Sequence, residues 1–277
     1  AAYLDAHPEV DVVYTDGSFC DATGRDLVRF SKVRAPHDPG DLLKDLVLSN
    51  VILACHSVMV RRTALESVGP PYFDETLRGT EDEDLWIRMA ARGKTFAYLD
   101  LPTCKYRVHD SNASRYDPAS PAYWERQKSV KRGRFKILYS EFFAGLPAET
   151  RERFFHTLLV KQLRGDESAR DEALNSAQFV ELPARIRARL LYHLGVRTIL
   201  DESELEAGRR YMKEAAEMAP GNLKYRGMLV LSQGGRPVLG SLLGLRRRVR
   251  RMTQRHSLDS PIGDDGLTTK DTTGKFK

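Results

Sequence analysis

Strand-like and helix-like patterns alternate along this chain only as far as Pro118; from Ala122 to Ser232 nearly every periodic stretch is helical. That change limits the fold to an α/β unit followed by an all-α region. In the front unit, Val10 to Thr15 is a β-branched run, and Asp16-Gly17 after it is a turn signal. A second turn, Asp21-Ala22-Thr23-Gly24, is expected to close a polar hairpin. Residues 1–6 read as the end of a helix, stopped before Pro8. Leu42, Leu43, Leu46 and Val47 recur at helical spacing, Ser57 to Val60 reads as a strand, and a helix over Thr63 to Val68 ends at Gly69.

Thr80 and Glu83 have the spacing of a capping box, which predicts a helix from Glu81 to Arg92 with Gly93 as its terminator. Leu85, Trp86, Met89 and Ala90 should line its core face. Two strands are then expected, Thr95 to Leu99 and Thr103 to Val108, separated by Pro102, with His109 just past the second. The expected domains are 1–117, 118–235 (helical) and 236–277 (a basic amphipathic segment and tail). Within the helical region, Ala207 to Pro220 has the small-and-aromatic spacing of the second helix of a tetratricopeptide-like hairpin. An unrelated helical appendage fits the same pattern.

Charge is localised. Lys and Arg number 44 against 38 Asp and Glu, and six of those cations (Arg246, Arg247, Arg248, Arg250, Arg251 and Arg255) lie in one acid-free stretch. Without them the balance is 38 to 38, so the basic character belongs to the C-terminal segment and does not describe a nucleic-acid-binding domain. Leucines 239, 242, 243 and 245 precede the arginines. The segment from Val238 to His256 is either an amphipathic helix on an anionic membrane or a solvated tail. Three scattered cysteines, with no apolar run long enough to span a bilayer, suggest a reducing cytoplasmic setting, peripheral to the inner membrane face if the arginine segment binds lipid. Without an initiator Met or a signal-peptide pattern, the chain is expected to be a piece of a longer one.

Two groups of residues are candidates for chemistry. The run Glu81-Asp82-Glu83-Asp84 opens a helix, where each acid stabilises the helix dipole by about 0.3–1 kcal/mol. A carboxylate at a helix start is equally well placed to serve as a general base, and Gly79 just before it lets the backbone approach a ligand closely. His109, in a polar loop with Ser111, Asn112 and Ser114, is either an exposed structural histidine or a metal or phosphate contact. Imidazole with carboxylates suits Mn²⁺, whereas Mg²⁺ prefers oxygen ligands and water.

Taken in order, these motifs resemble family 2 glycosyltransferases. The resemblance is carried by Pro8 to Tyr14, Asp21 to Gly24, Val58-Met59-Val60-Arg61-Arg62, Val68-Gly69, Phe73-Asp74-Glu75, Gly79 to Arg88 and Tyr106-Arg107-Val108-His109. It covers about residues 1–115 and implies a partial GT-A (Rossmann-like) domain that transfers a sugar from a nucleotide-sugar donor to an acceptor hydroxyl with inversion. It also implies Asp82 as catalytic base with Glu81 and Asp84 beside it, Gly79 at the cofactor, and His109 helping to hold a divalent cation (Mn²⁺ or Mg²⁺). The setting implied is polysaccharide or glycoconjugate biosynthesis.

Two rivals stand beside this. One is a non-catalytic helical interaction module carrying a degenerate transferase remnant. The other is a metal-dependent hydrolase using Asp82, Asp84 and His109.

The departure from the family is at the front. Its nucleotide-binding strand and Asp-x-Asp motif have no counterpart, since Asp11 begins a strand and Asp16 precedes Gly17 as a turn residue. The chain is therefore expected to retain the acceptor-side half, to lack most of the donor-binding half, and by itself neither to bind nucleotide sugars well nor to turn over. Isothermal titration with several nucleotide sugars and Mn²⁺ should show no micromolar binding; micromolar affinity would refute this expectation.

Overall fold

A computed structural model of the protein describes residues 1–37, 42–109, 121–202, 204–235 and 237–241. The arginine run 246–255, and Ser111, Asn112 and Ser114 beyond His109, lie outside the described residues. The front unit is mixed α/β, as its pattern implies.

Its sheet is organised by β1 (Val12–Cys20), to which the other three strands all pair. Along one edge runs β4 (Phe96–Arg107), parallel, from Val12 opposite Phe96 to Cys20 opposite Arg107. The other edge is shared. β3 (Val58–Val60) pairs antiparallel with residues 12–14, and β2 (Asp26–Arg29) pairs antiparallel with residues 18–20. The expected hairpin between β1 and β2 forms at Asp21, where Gly24 N–H donates to the Asp21 carbonyl at 3.0 Å.

Two expectations about these strands are corrected. Asp16-Gly17 is no turn; both residues lie inside β1. Gly17 is there because a β-carbon would stand 2.5 Å from Phe30 Cε2 and 2.7 Å from the Cys104 carbonyl oxygen. The Asp16 side chain is sealed inside and fully bonded. It accepts from Gly17 N–H (2.9 Å), Ser31 N–H (3.1 Å) and the Ser31 hydroxyl (2.7 Å), and it pairs with Arg29 at 2.7 Å. Burial works to raise its pKa, but the Ser31 and Gly17 hydrogen bonds and the Arg29 charge outweigh it and hold the carboxyl below its ordinary value. The second correction concerns residues 95–108, which make one strand. Pro102 does not break it, because the register slips there: Thr15 faces Leu99, Asp16 faces Pro102 and Gly17 faces Cys104. A bulge is where a strand tolerates a residue with no N–H.

Helices cover the two faces. On one, α1 (Ala2–Ala6) places Leu4 against Val10 and Val13, and Arg61 ties it down by donating to the Leu4 carbonyl and, at 2.7 Å, to the Val10 carbonyl. The short helix α2 (Phe30–Val33) follows β2; on the other face lie α3 (Leu42–Leu48) and α5 (Glu81–Ala91), with the short helix α4 (Arg62–Glu66) between them in the chain. Helix α5 buries Leu85, Trp86 and Met89 as its spacing predicts, together with Ile87.

The helical region follows: α6 (Pro121–Leu138), α7 (Ala148–Thr157), α8 (Glu167–Asn175), α9 (Ala177–Val180), α10 (Ala184–Arg197), α11 (Leu205–Met218) and α12 (Leu223–Leu231). It shares its core with the front unit, since one cluster of buried residues runs continuously from Val12 and Tyr14 to Leu239. Helices α10 and α11 form a hairpin. Gly208, Tyr211, Met212, Ala215 and Ala216 make the buried face of α11, and a β-carbon on Gly195 of α10 would stand 2.6 Å from the Gly208 carbonyl oxygen. Among the described residues, no helix is long and apolar enough to cross a membrane.

Where α7 meets α10, His156 and His193 pack edge to face with ring centroids 5.5 Å apart. Burial, then the neighbouring His156 and the Lys224, Arg189 and Arg197 charges, push the His193 pKa down to about 4. The folded chain thus binds fewer protons than the unfolded one, and this contribution to stability is lost as pH falls from about 6.5 towards 4. Raised carboxyls elsewhere act in the opposite sense, so the informative quantity is a difference. Urea unfolding of His193→Gln should show a shallower loss of stability than the wild type over that range; parallel curves would contradict it.

Candidate active site at the start of helix α5

The four acids that open α5 point in different directions, because successive residues turn by about 100° around a helix. Each has a distinct surrounding.

Glu83 faces α6 and is largely, though not fully, buried. Its carboxylate pairs with Arg134 at 3.3 Å, the two side chains being 16% and 10% exposed, and Arg134 also donates to the Val47 carbonyl at 2.6 Å. Burial pushes the Glu83 pKa up against the opposing charges of Arg134, Arg126 and Arg34. This corrects the capping box. Thr80 stands at the N-cap, but its side chain makes no cap bond, and its N–H already donates to Leu77 O at 3.0 Å. With that donor taken, Glu83 turns to Arg134 instead. The Thr80 hydroxyl is buried with no hydrogen-bond partner among the described residues. It lines a small cleft between α5 and α6, together with Glu83, Asp84, Gly133 and Arg134.

Asp84 is engaged by cations, pairing with Arg88 at 2.8 Å and Lys136 at 2.9 Å. As a member of the catalytic set it is therefore already neutralised. Glu81 has one carboxylate oxygen buried without a hydrogen-bond partner among the described residues.

Asp82 differs from all three. It is half-buried, and its Oδ1 accepts the Glu83 N–H at 2.8 Å. No ion pair or other hydrogen bond to its carboxylate occurs among the described residues. Burial, reinforced by the neighbouring Glu81 charge, raises its pKa above the ordinary aspartate value, while the Glu83 N–H and Arg126 oppose the rise. An anchored carboxylate with a raised pKa and an oxygen to spare has the properties of a general base.

Gly79, the expected cofactor contact, has φ +77°, a conformation that suits glycine, and the Arg126 side chain of α6 lies over it. His109 is exposed and stands just past β4, whose next residue, Val108, donates its N–H to the Cys20 carbonyl at 2.8 Å. The connection between this strand end and the acidic turn is the 55–57 turn. His56 stacks on Tyr106 with centroids 6.4 Å apart, and Asp82 and Glu81 act on the charge of the adjacent Cys55, whose thiol is pushed up first by burial and then by those two carboxylates. Among the described residues, no three His, Cys, Asp or Glu side chains are grouped as a metal would require.

Cys55, His56, Arg126 and Arg134 escape a reading of motifs. The first two sit in an irregular turn, and the arginines belong to a helix whose pattern reads only as polar. Comparison with known protein families, curated proteins and solved structures finds no match for this chain.

The buried Glu83–Arg134 pair gives a direct test of this architecture. Arg134→Met leaves a carboxylate buried without its partner and should cost about 3–5 kcal/mol in urea unfolding. The double variant Arg134→Met with Glu83→Met should recover much of that loss. A single variant as stable as the wild type would show that the pair does not hold α6 to the acidic turn.

Proposed function

We propose that this chain is the acceptor-side part of a GT-A domain of a family 2 inverting glycosyltransferase, with its helical region built onto the same core. The observation that supports this most directly is the state of Asp82: half-buried, anchored by one hydrogen bond, raised in pKa and not ion-paired, while its neighbours Glu83 and Asp84 are bound to cations. The ordered motifs from Pro8 to His109 supply the class of reaction.

In this reading Asp82 accepts the proton of an acceptor hydroxyl as that oxygen attacks the anomeric carbon of the donor sugar. The new C–O bond forms on the face opposite the nucleoside diphosphate. The old bond breaks with its electron pair leaving on the diphosphate, so the configuration inverts. Alignment of the hydroxyl with the leaving group supplies much of the acceleration. Glu81 beside Asp82 keeps the base from being too weak, since its negative charge adds to burial in raising the proton affinity of Asp82. The product belongs to polysaccharide or glycoconjugate biosynthesis.

The helical region enters the reading as part of the enzyme, because α6 delivers Arg126 and Arg134 to the acidic turn. A hydrolase built on Asp82, Asp84 and His109 is less well supported, since Asp84 is held by Arg88 and Lys136. The test is sugar transfer from a panel of nucleotide sugars to hydroxyl acceptors by the protein at its natural length. Asp82→Asn should lower kcat by about 10²–10⁴-fold with the fold intact by circular dichroism. Undiminished transfer would rule out this assignment.

A further inference from the structure

Leu223 and Val230 are the two most exposed large apolar side chains among the described residues, at 79% and 69%. Both belong to α12, where their i, i+7 spacing places them on one face with Gly227 between them. The opposite face, carrying Tyr225 and Met228, is buried in the core. Lys224 and Arg226 are exposed and flank the apolar stripe, one on each side. Lys224 Nζ stands 4.6 Å from the centroid of the Tyr192 ring of α10. The cations extend along α10, where Arg197 and the Glu152-paired Arg189 act together with Lys224 on His193.

The charge around the stripe has one sign. From Met218 to Leu258 the chain contains no Asp or Glu and nine Lys or Arg, of which Lys224 and Arg226 come first. A single exposed leucine is ordinary. Two apolar side chains on one face, rimmed by cations in an acid-free stretch, are the composition of a helix that lies on an anionic bilayer. Charge argues against other occupants. A second copy would bring two such cationic faces together, and arginines 246–255 of the same chain would meet Lys224 and Arg226; both contacts are repulsive. Nucleic acid would reward the cations and leave the apolar pair in water.

We propose that α12 is a membrane-surface contact, in which Leu223 and Val230 enter the headgroup–acyl boundary of an anionic bilayer while Lys224 and Arg226 meet the charged headgroups. At nine residues the helix lies on the bilayer and does not cross it. The contact is built on the folded body and therefore orients it, which a basic segment alone would not do. It stands independently of the transferase reading.

Flotation of the full chain with lipid vesicles tests this. Vesicles of phosphatidylcholine with phosphatidylserine should bind it about tenfold or more tighter than phosphatidylcholine alone, and high salt should weaken that binding. Leu223→Ser combined with Val230→Ser should cut binding to the anionic vesicles about tenfold, as should Lys224→Gln combined with Arg226→Gln. All four side chains are exposed, so the thermal melts should stay close to that of the wild type. Leu223→Trp gives a second readout. Its added emission should shift to the blue on anionic vesicles and be quenched by brominated lipid. Undiminished binding of the double serine variant would overturn the proposal, because the arginine segment would then suffice. Equal binding to neutral vesicles would overturn it too, as would an added emission that stays water-exposed on bound vesicles. So would a dimer that depends on Leu223 and Val230 in a chain that binds no vesicles.

Discussion

The double pairing of β1 is the constraint on which the rest of the front unit depends. Every other strand hydrogen-bonds to it, and a strand has only two edges, so β4 takes one and β2 and β3 divide the other. Such a strand is buried on both sides and has to carry Asp16 through the middle of the sheet. An unpaired carboxylate there would be prohibitive. Two hydrogen bonds from Ser31, one from Gly17 and the Arg29 ion pair remove that penalty, and in doing so they dock α2 on β1. The register of β4 against β1 then places Tyr106 where it stacks on His56 of the 55–57 turn.

From that frame the acidic turn acquires its division of labour. All four acids complement the helix dipole, which accounts for their being together. Rotation about the helix then separates them. Glu83 is turned to α6 and held by Arg134, Asp84 is turned to Arg88 and Lys136, and Asp82 is left with a single backbone donor. The structural and the functional readings of an acidic helix start are both true of this helix, at different residues.

Much of the architecture was legible in advance. The helix from Glu81, its buried Leu85, Trp86 and Met89, the Asp21 hairpin and the succession of helices after 121 all follow from local rules. Those rules misled where a distant partner intervened. Asp16-Gly17 has turn chemistry, yet Ser31 and Arg29 satisfy the aspartate, and Phe30 and Cys104 leave room only for glycine. Pro102 has the character of a strand breaker, yet a bulge accommodates it. Thr80 and Glu83 have capping-box spacing, yet the Thr80 N–H is already used and Arg134 is the stronger partner for the carboxylate. Cys55, His56 and Arg126 carried no signal, because what brings them to Asp82 is the packing of a turn and a helix well separated from it in the chain.

Sequence alone determined the kinds of element and the chemistry available: an α/β front, a helical sequel, four acids at one helix start and a histidine at a strand end. These depend on periodicity, capping residues and side-chain type, which act over a few residues. Tertiary structure alone decided which acid keeps an oxygen without a cation, which arginine pairs with Glu83, and that both halves of the chain share one core. Those outcomes depend on desolvation and on contacts across some fifty to ninety residues, such as Arg134 to Glu83 and to Val47, which no local pattern records.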